Sequence, residues 1–564
     1  WRADDPRLTL HFPVERPSPI DYSHKTMVPS VRKQMGRAAA LMMASVLLSR
    51  LMGYARDAVI AYQHGATPET DAYFTAFTIP DFLNYLLAGG SLSITFIPIF
   101  SKYLAEGKED AGYRSFSTIA TVMGIGMLFF IILGEFLAER LILLIAPGFP
   151  PDQAAVAARL TRIVLPAQIF FYLGGLLMAI QFSRNQFLIP ATAPLIYNAG
   201  IIAGGLLLGP SLGMAGFAWG VLIGSFFGNF AVQLYGARRS GLQFFPSIDL
   251  SDPGLREFIR LSIPIMLGFS LVVVDEWMTR VFGSFLLAGA ITWLNNARRL
   301  MQVPVGVFGQ ASGVASYPFL SGLAARGERE EMWKTLSATL RWVFFVSCAA
   351  AAVFGILSRE IVLAVFKRGA FTIDDTLSTA SALAAFSIGI PFWCAQSITS
   401  RGFFALKDTW TPTLVGTAAW LVSLPAYYLL TQKMGVFGLA LASSIGIFLH
   451  ATGLYGILMA RTVGKKAAGD LLEYGRIALS GTAAAYAGWY WMGISSRWIS
   501  WETLAGSVFR IAFGGAFIAI VFFLCALLLG SVTARAIHGS RDILHPPGPP
   551  DGGTPPGPPG TYMP

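Results

Sequence analysis

The sequence predicts an all-α polytopic membrane protein of about fourteen transmembrane helices, built as two pseudo-symmetric six-helix lobes plus two C-terminal helices. Three observations carry this prediction. Hydrophobic residues make up 54% of the 564 and charged residues only 13%, whereas a soluble protein carries about 25% charged residues. Apolar runs of membrane-spanning length recur along the whole chain, with the frequent glycine and proline that spanning helices tolerate. Motifs of the first half also return in the second at a near-constant distance.

The first six runs lie near 38–62, 72–101, 116–137, 158–182, 187–209 and 213–236. The next six lie near 258–284, 288–320, 336–357, 377–405, 411–431 and 435–460, and two more near 475–494 and 504–533. Lysine and arginine collect at alternate ends: Arg32, Lys33 and Arg37, then Lys102, Lys108 and Arg114, then Arg238 and Arg239, and onward to Arg535. The opposite connections, such as 64–70 and 147–152, have none, although the one after the ninth run holds Arg359, Lys367 and Arg368. Positive charge stays on the cytoplasmic side, so both termini are expected in the cytoplasm. The expected organisation is a cytoplasmic segment at 1–34, lobes at 35–240 and 241–462, a helix pair at 463–535 and a Pro/Gly-rich tail at 536–564. Residues 1–30 lack the apolar core of a secretory signal, and the tail composition predicts disorder or polyproline II.

The repeat is legible residue by residue. Pro98, Ser101, Leu104 and Gly107 return as Pro318, Ser321, Leu323 and Gly327; Phe182 and Pro190 return as Phe404 and Pro412; Gly213 and Gly216 return as Gly435 and Gly438. Six helices per half is an even number, so both halves enter the membrane with the same orientation, and transporters built on such parallel repeats bind substrate between them.

Charge interrupts this apolar background in few places. The first run contains Arg50, Arg56 and Asp57, and each charge at a helix centre costs about 2.5–3.5 kcal/mol on an insertion scale. Arg50 and Asp57 are two helical turns apart and share a face. Asp71, Asp81 and Asn84 stand around Pro80 in the second run, and Gly89-Gly90 follows. The corresponding part of the second half holds Asp275, Glu276 and Arg280, then Arg298 and Arg299. Arginines facing one another across a cleft would make a cationic cavity for an anionic cargo, since guanidinium stays ionised and offers a fork to phosphate oxygens. Arg56 and Asp57 also read as a structural pair, Asp57 and Asp71 as helix caps or partners, and Asp275 and Glu276 as a cation or proton site or as counter-charges to Arg280.

Other chemistries find little support. Cys348, Cys394 and Cys525 have no metal spacing and read as small buried hydrophobes, the six histidines are scattered, and no metal or cofactor is expected. Walker A, GxSxG and HExxH patterns are absent from the sequence, as is an aromatic-basic nucleic-acid motif. A drug or cation antiporter would need a dominant acidic membrane site, which the arginine-rich first run opposes. A scaffold without transport is the remaining class.

Several of these stretches resemble one family. Ser49-Arg50-Leu51-Met52-Gly53-Tyr54-Ala55-Arg56-Asp57 followed by Thr70-Asp71-Ala72-Tyr73-Phe74 is similar to the opening signature of the MurJ/MviN family, bacterial lipid II flippases of the MOP superfamily. Ala297-Arg298-Arg299-Leu300-Met301-Gln302-Val303-Pro304 resembles its eighth-helix motif, and Arg401-Gly402-Phe403-Phe404 through Pro412 its tenth-to-eleventh-helix connection. The resemblance implies fourteen helices, the last two forming a groove for a lipid tail. It implies transfer of undecaprenyl-pyrophosphate-linked peptidoglycan precursor from the inner to the outer leaflet of the bacterial cytoplasmic membrane by alternating access. It places pyrophosphate-binding arginines at Arg50, Arg56 and Arg299, with Arg298 and Asn84 in the cavity and Asp57, Asp71, Asp275 and Glu276 as its acidic or gating set. Lipid II, membrane lipids and cell-wall polymerases are the implied partners of a functional monomer. The chain departs from other members at Asn84, Gly89 and Arg298, where arginine, glutamate and aspartate occur. It also lacks a carboxylate in the eleventh run, against a sodium site. Another polyprenyl-linked oligosaccharide is the alternative cargo.

Overall fold

The computed structural model describes residues 29–85, 95–267, 271–462 and 468–539. Among them every regular element is a helix, which agrees with the predicted all-α class. Expectations for 1–28, for Gly89 and for the tail from 540 lie outside the described residues.

The first half opens with α1 (Pro29–His64), α2 (Pro68–Ala76), α3 (Thr78–Leu83), α4 (Ile97–Ala105) and α5 (Glu109–Ile145). It continues through α6 (Pro151–Val164), α7 (Ala167–Ser183), α8 (Leu188–Leu212), α9 (Met214–Ser225) and α10 (Val232–Arg239). The second half has α11 (Pro253–Leu267), α12 (Leu271–Gly283), α13 (Ala290–Pro304), α14 (Ala311–Ala325), α15 (Arg329–Ile356) and α16 (Ser358–Phe366). It ends with α17 (Ile373–Ala405), α18 (Trp410–Thr462), α19 (Ala468–Ser495), α20 (Leu504–Leu528) and α21 (Val532–Gly539). Single π turns join α9 to α10 at Phe226–Ala231 and α13 to α14 at Val305–Gln310.

Among the described residues, eight of the helices, or continuous pairs of them, are long and apolar enough to cross a membrane. The α18 helix holds two of the predicted runs, divided where Gly435 leaves helical geometry at φ 57°, ψ −131°. Two of the charged runs are interrupted, as α2 and α3 divide at Phe77 and α13 leads into a π turn beyond Pro304, whereas the run with Arg50, Arg56 and Asp57 is the continuous helix α1. Non-helical backbone at membrane depth is tolerated where protein or a polar cavity satisfies it, and π turns commonly sit beside functional positions.

Two compact units result. The first is built from residues up to Leu300 with 362–385 and 413–446; the second from 301–361, 386–412 and Ile447 onward. The first has a core that includes Tyr73, Phe100, Tyr113, Tyr172 and Phe217. Its tightest packing joins α8 to α9, where a Cβ on Gly204 would meet Gly220 Cα at 2.5 Å and one on Gly220 would meet Gly200 O at 2.7 Å. In a membrane, where lipid removes most of the hydrophobic drive between helices, such close backbone approach is what holds a helix pair. In the second unit α15, α19 and α20 enclose Phe345, Leu357, Ile477, Ile518 and Phe522. A buried ion pair, Arg510 to Glu360 at 3.3 Å, lies in the same unit.

The internal repeat is also present in the backbone. Left-handed residues recur at Gly107 and Gly327, at Asn185 and Lys407, and at Gly213 and Gly435. The last two share the unusual pair φ 59°, ψ −137° and φ 57°, ψ −131°, a region open essentially to glycine alone.

Gly220→Val is expected to destabilise the protein by several kcal/mol, about the size of an overpacking penalty with a backbone shift. Gly456→Ala, where an added Cβ meets nothing within 4 Å, serves as the neutral control. Thermal unfolding in detergent should show a clear drop for the first and none for the second.

Candidate functional site

Helix α1 places Arg50, Tyr54 and Asp57 on one face by its i, i+4, i+7 spacing. Asp57 is 1% exposed and is the hub of an ion cluster inside the first unit. One carboxylate oxygen accepts from Arg56 Nε at 2.9 Å, with Arg56 Nη2 also at 2.9 Å. The other lies 2.9 Å from Arg299 Nε on α13. Arg56 Nη1 donates to Asn198 Oδ1 on α8 at 3.3 Å, and Tyr54 Oη donates to the Arg299 carbonyl at 3.2 Å. Two guanidinium groups therefore share one carboxylate, and the cluster keeps a net positive charge. The Arg56 side chain is 13% exposed and that of Arg299 41%, so Arg299 presents the accessible part of this charge.

Arg298, one residue earlier on α13, turns away into a second cluster. It is buried and pairs with Asp275 of α12, while its Nη2 donates to Thr279 Oγ1 at 3.0 Å. Tyr427 of α18 donates to the other Asp275 oxygen. Three helices of the first unit thus converge on one carboxylate. A buried pair of this kind gains stability only when hydrogen bonds satisfy its remaining lone pairs and protons; Tyr427 donates to the carboxylate and Thr279 accepts from the guanidinium.

Asp71 forms a third arrangement. Its carboxylate, on α2, accepts from the backbone N–H of Gly289 at 2.7 Å and of Thr292 at 2.8 Å, and from Thr292 Oγ1 at 2.6 Å. It caps the start of α13, satisfying amide groups that the helix itself leaves open. The adjoining connections are drawn together as well. Ala370 N donates to the Tyr62 carbonyl at 2.8 Å and Gly148 N to Ser284 Oγ at 3.0 Å, and Trp293 Nε1 donates to Asp375 at 2.9 Å.

Of the residues singled out in the sequence, Arg56, Asp57 and Arg299 meet in one cluster, Arg298 and Asp275 in another, and Asp71 stands apart as a cap. Arg50 lies two turns from Asp57 on the same face and is exposed; Asn84 and Glu276 are half-buried. Sequence reasoning missed Asn198, Tyr54, Thr279, Thr292 and Tyr427. Asn198, a lone amide in the apolar run 187–209, carried the one detectable signal.

The chain is a multi-pass helical protein with ion clusters among its apolar helices, an arrangement suited to an integral membrane transporter. The family model described as lipid II flippase MurJ matches residues 60–511, and the chain belongs to the MurJ lipid II flippase family. The lipid II flippase MurJ of Burkholderia cenocepacia is 28% identical over 473 residues, covering 82% of this chain and 91% of that protein. A solved structure described as lipid II flippase MurJ in an inward closed conformation matches with a TM-score of 0.71 at 25% identity, over 88% of this chain and all of the other. The fold alone is shared with an inward-facing multidrug resistance MATE transporter of the MOP superfamily. There the TM-score is 0.59 at 13% identity, over 74% of this chain and 96% of that one.

Asp57→Asn should cost about 3–5 kcal/mol, as breaking a buried ion pair does, because it leaves two adjacent guanidinium groups without their shared counter-charge. Asp275→Asn is expected to act similarly and Tyr427→Phe to cost about 1.5–3 kcal/mol, the worth of one hydrogen bond to a charged group. Thermal denaturation in detergent checks the order; an Asp57→Asn protein as stable as the parent would refute the hub role.

Proposed function

We propose that this chain moves lipid II across the cytoplasmic membrane by alternating access, with the lipid pyrophosphate held by Arg299, Arg56 and Arg50. The cluster of two arginines on one carboxylate, in a chain of this family, is the observation that supports the reading. Asp57 offsets part of the charge and holds both guanidinium groups in place, and the exposed edge of Arg299 remains for phosphate oxygens. Charge-assisted, bidentate contacts of this kind suit a pyrophosphate better than they suit a sugar or a peptide.

In this mechanism the headgroup enters from the cytoplasmic leaflet while the polyprenyl tail stays in the bilayer, against the α19–α20 helix pair. Asp71 secures the start of α13 while the outer side is closed, and opening that side requires its hydrogen bonds to be given up. Asp275 and Arg298 fix α13 so that Arg299 faces Asp57; Asn84 and Glu276 line the same polar region. An inside-negative potential opposes outward movement of positive charge, at about 2.3 kcal/mol per charge per 100 mV, and so favours return to the inward state after release. Both termini lie in the cytoplasm, the protein works as a monomer, and cell-wall polymerases consume the lipid delivered outside.

Proteoliposomes containing lipid II, probed with a reagent that reaches only the outer leaflet, provide the test. Arg299→Ala and Arg50→Ala should each lower the flipping rate by about 10- to 100-fold, the value of one charge-assisted contact. Folded variants that still flip lipid II at the parental rate would overturn the arginine assignment. A parent that flips only another polyprenyl-linked oligosaccharide would overturn the cargo.

A further inference from the structure

The connection between α10 and α11, residues 240–252, is irregular and belongs to the first unit. Its position is fixed against α5. Phe245 N donates to Ser117 Oγ at 3.0 Å, Ser115 Oγ donates to Asp252 at 2.9 Å, and the Phe244 ring meets Phe116 edge-on at 6.3 Å. These contacts also give its depth. The α5 helix carries no charge from Ser115 to Gly134, a stretch of about 30 Å that matches the hydrocarbon layer. Ser115 to Ser117 form the first turn of that stretch, so the connection runs where headgroups meet acyl chains.

At that level its apolar side chains point outward. Phe244, Phe245, Ile248 and Leu250 are between 49% and 70% exposed. The connection's own carboxylates are engaged locally: Asp249 accepts from Ser251 N at 2.9 Å, and Asp252 accepts from Leu255 N at 2.8 Å as it caps α11. Exposed arginines flank it, Arg238 and Arg239 at the end of α10 and Arg256 at the start of α11. Clustered apolar side chains bordered by cations match the chemistry of an anionic lipid surface: aromatic rings favour the interface, and guanidinium groups favour lipid phosphates.

We propose that this connection is an interfacial strap, inserting Phe244, Phe245, Ile248 and Leu250 into the leaflet on the side where α5 begins while the flanking arginines bind anionic headgroups. The strap ties the junction of the two sequence halves to the membrane plane, whatever cargo the protein carries.

The test uses the full-length protein with Cys525→Ser, leaving Cys348 and Cys394, which are buried. A single environment-sensitive fluorophore is attached at Ile248→Cys, or at Glu330→Cys in the exposed first turn of α15 as an aqueous control. The proteins are reconstituted in phosphatidylglycerol-containing vesicles. The Ile248 label should be quenched several-fold more by lipids brominated on the acyl chain than by aqueous iodide, with the control showing the reverse. An Ile248 label quenched like the control would overturn insertion, pointing instead to a surface for a soluble partner. Replacing phosphatidylglycerol with phosphatidylcholine should weaken the bromolipid quenching; unchanged quenching would overturn the role given to the arginines.

Discussion

The placement of Asp57 between Arg56 and Arg299 is the constraint to which much of the first unit answers. Unpaired charge at membrane depth is costly, so a guanidinium group survives there only with a counter-charge or water within reach. One fully buried carboxylate serves both arginines, and Asn198 and Tyr54 complete the contacts from α8 and α1. The arrangement leaves more positive charge than negative. A purely structural site would tend toward balance, as Arg298 and Asp275 achieve from the residue just before Arg299 on the same helix.

The two clusters divide labour along α13. Neighbouring residues on a helix point about 100° apart, so Arg298 and Arg299 face different surroundings. Arg298 is locked among α12, α13 and α18 by Thr279, Asp275 and Tyr427. Arg299 stays 41% exposed. A rigid, neutralised neighbour is what allows an accessible arginine to hold its direction without a dense shell of its own. Asp71 fixes the same helix at its first turn, so α13 is pinned at its start and near its middle. Around this, glycine contacts between α8 and α9 hold the helix that bears Asn198.

Much of this was legible in the sequence because membrane insertion is an unforgiving filter. Composition and run length were sufficient for the fold class, and the rarity of charge made Arg50, Arg56, Asp57 and Arg299 conspicuous. The pairings were less legible. Whether Asp275 would answer Arg280 or Arg298 depends on how α12 turns against α13, which no local spacing encodes. Thr292 and Tyr427 were invisible for a different reason: a hydroxyl in an apolar run has little effect on hydropathy, yet it completes a buried carboxylate. The breaks within helices were hard to place too, since π turns and the Gly435 kink follow from packing as much as from residue type.

The twin turns at Asn185 and Lys407 bear on how the two halves of the chain diverged. Asparagine enters the left-handed region readily, while lysine has no particular aptitude for it. A lysine that nevertheless adopts this conformation shows that the surrounding helices set the turn more than the residue type does. The same persistence links Gly213 with Gly435, although the side chains of the two halves have few charges in common. Duplicated halves can thus share a backbone turn as common shape while their side-chain chemistry differs. That separation leaves a lineage free to alter what the cavity recognises without rebuilding the machinery that moves it.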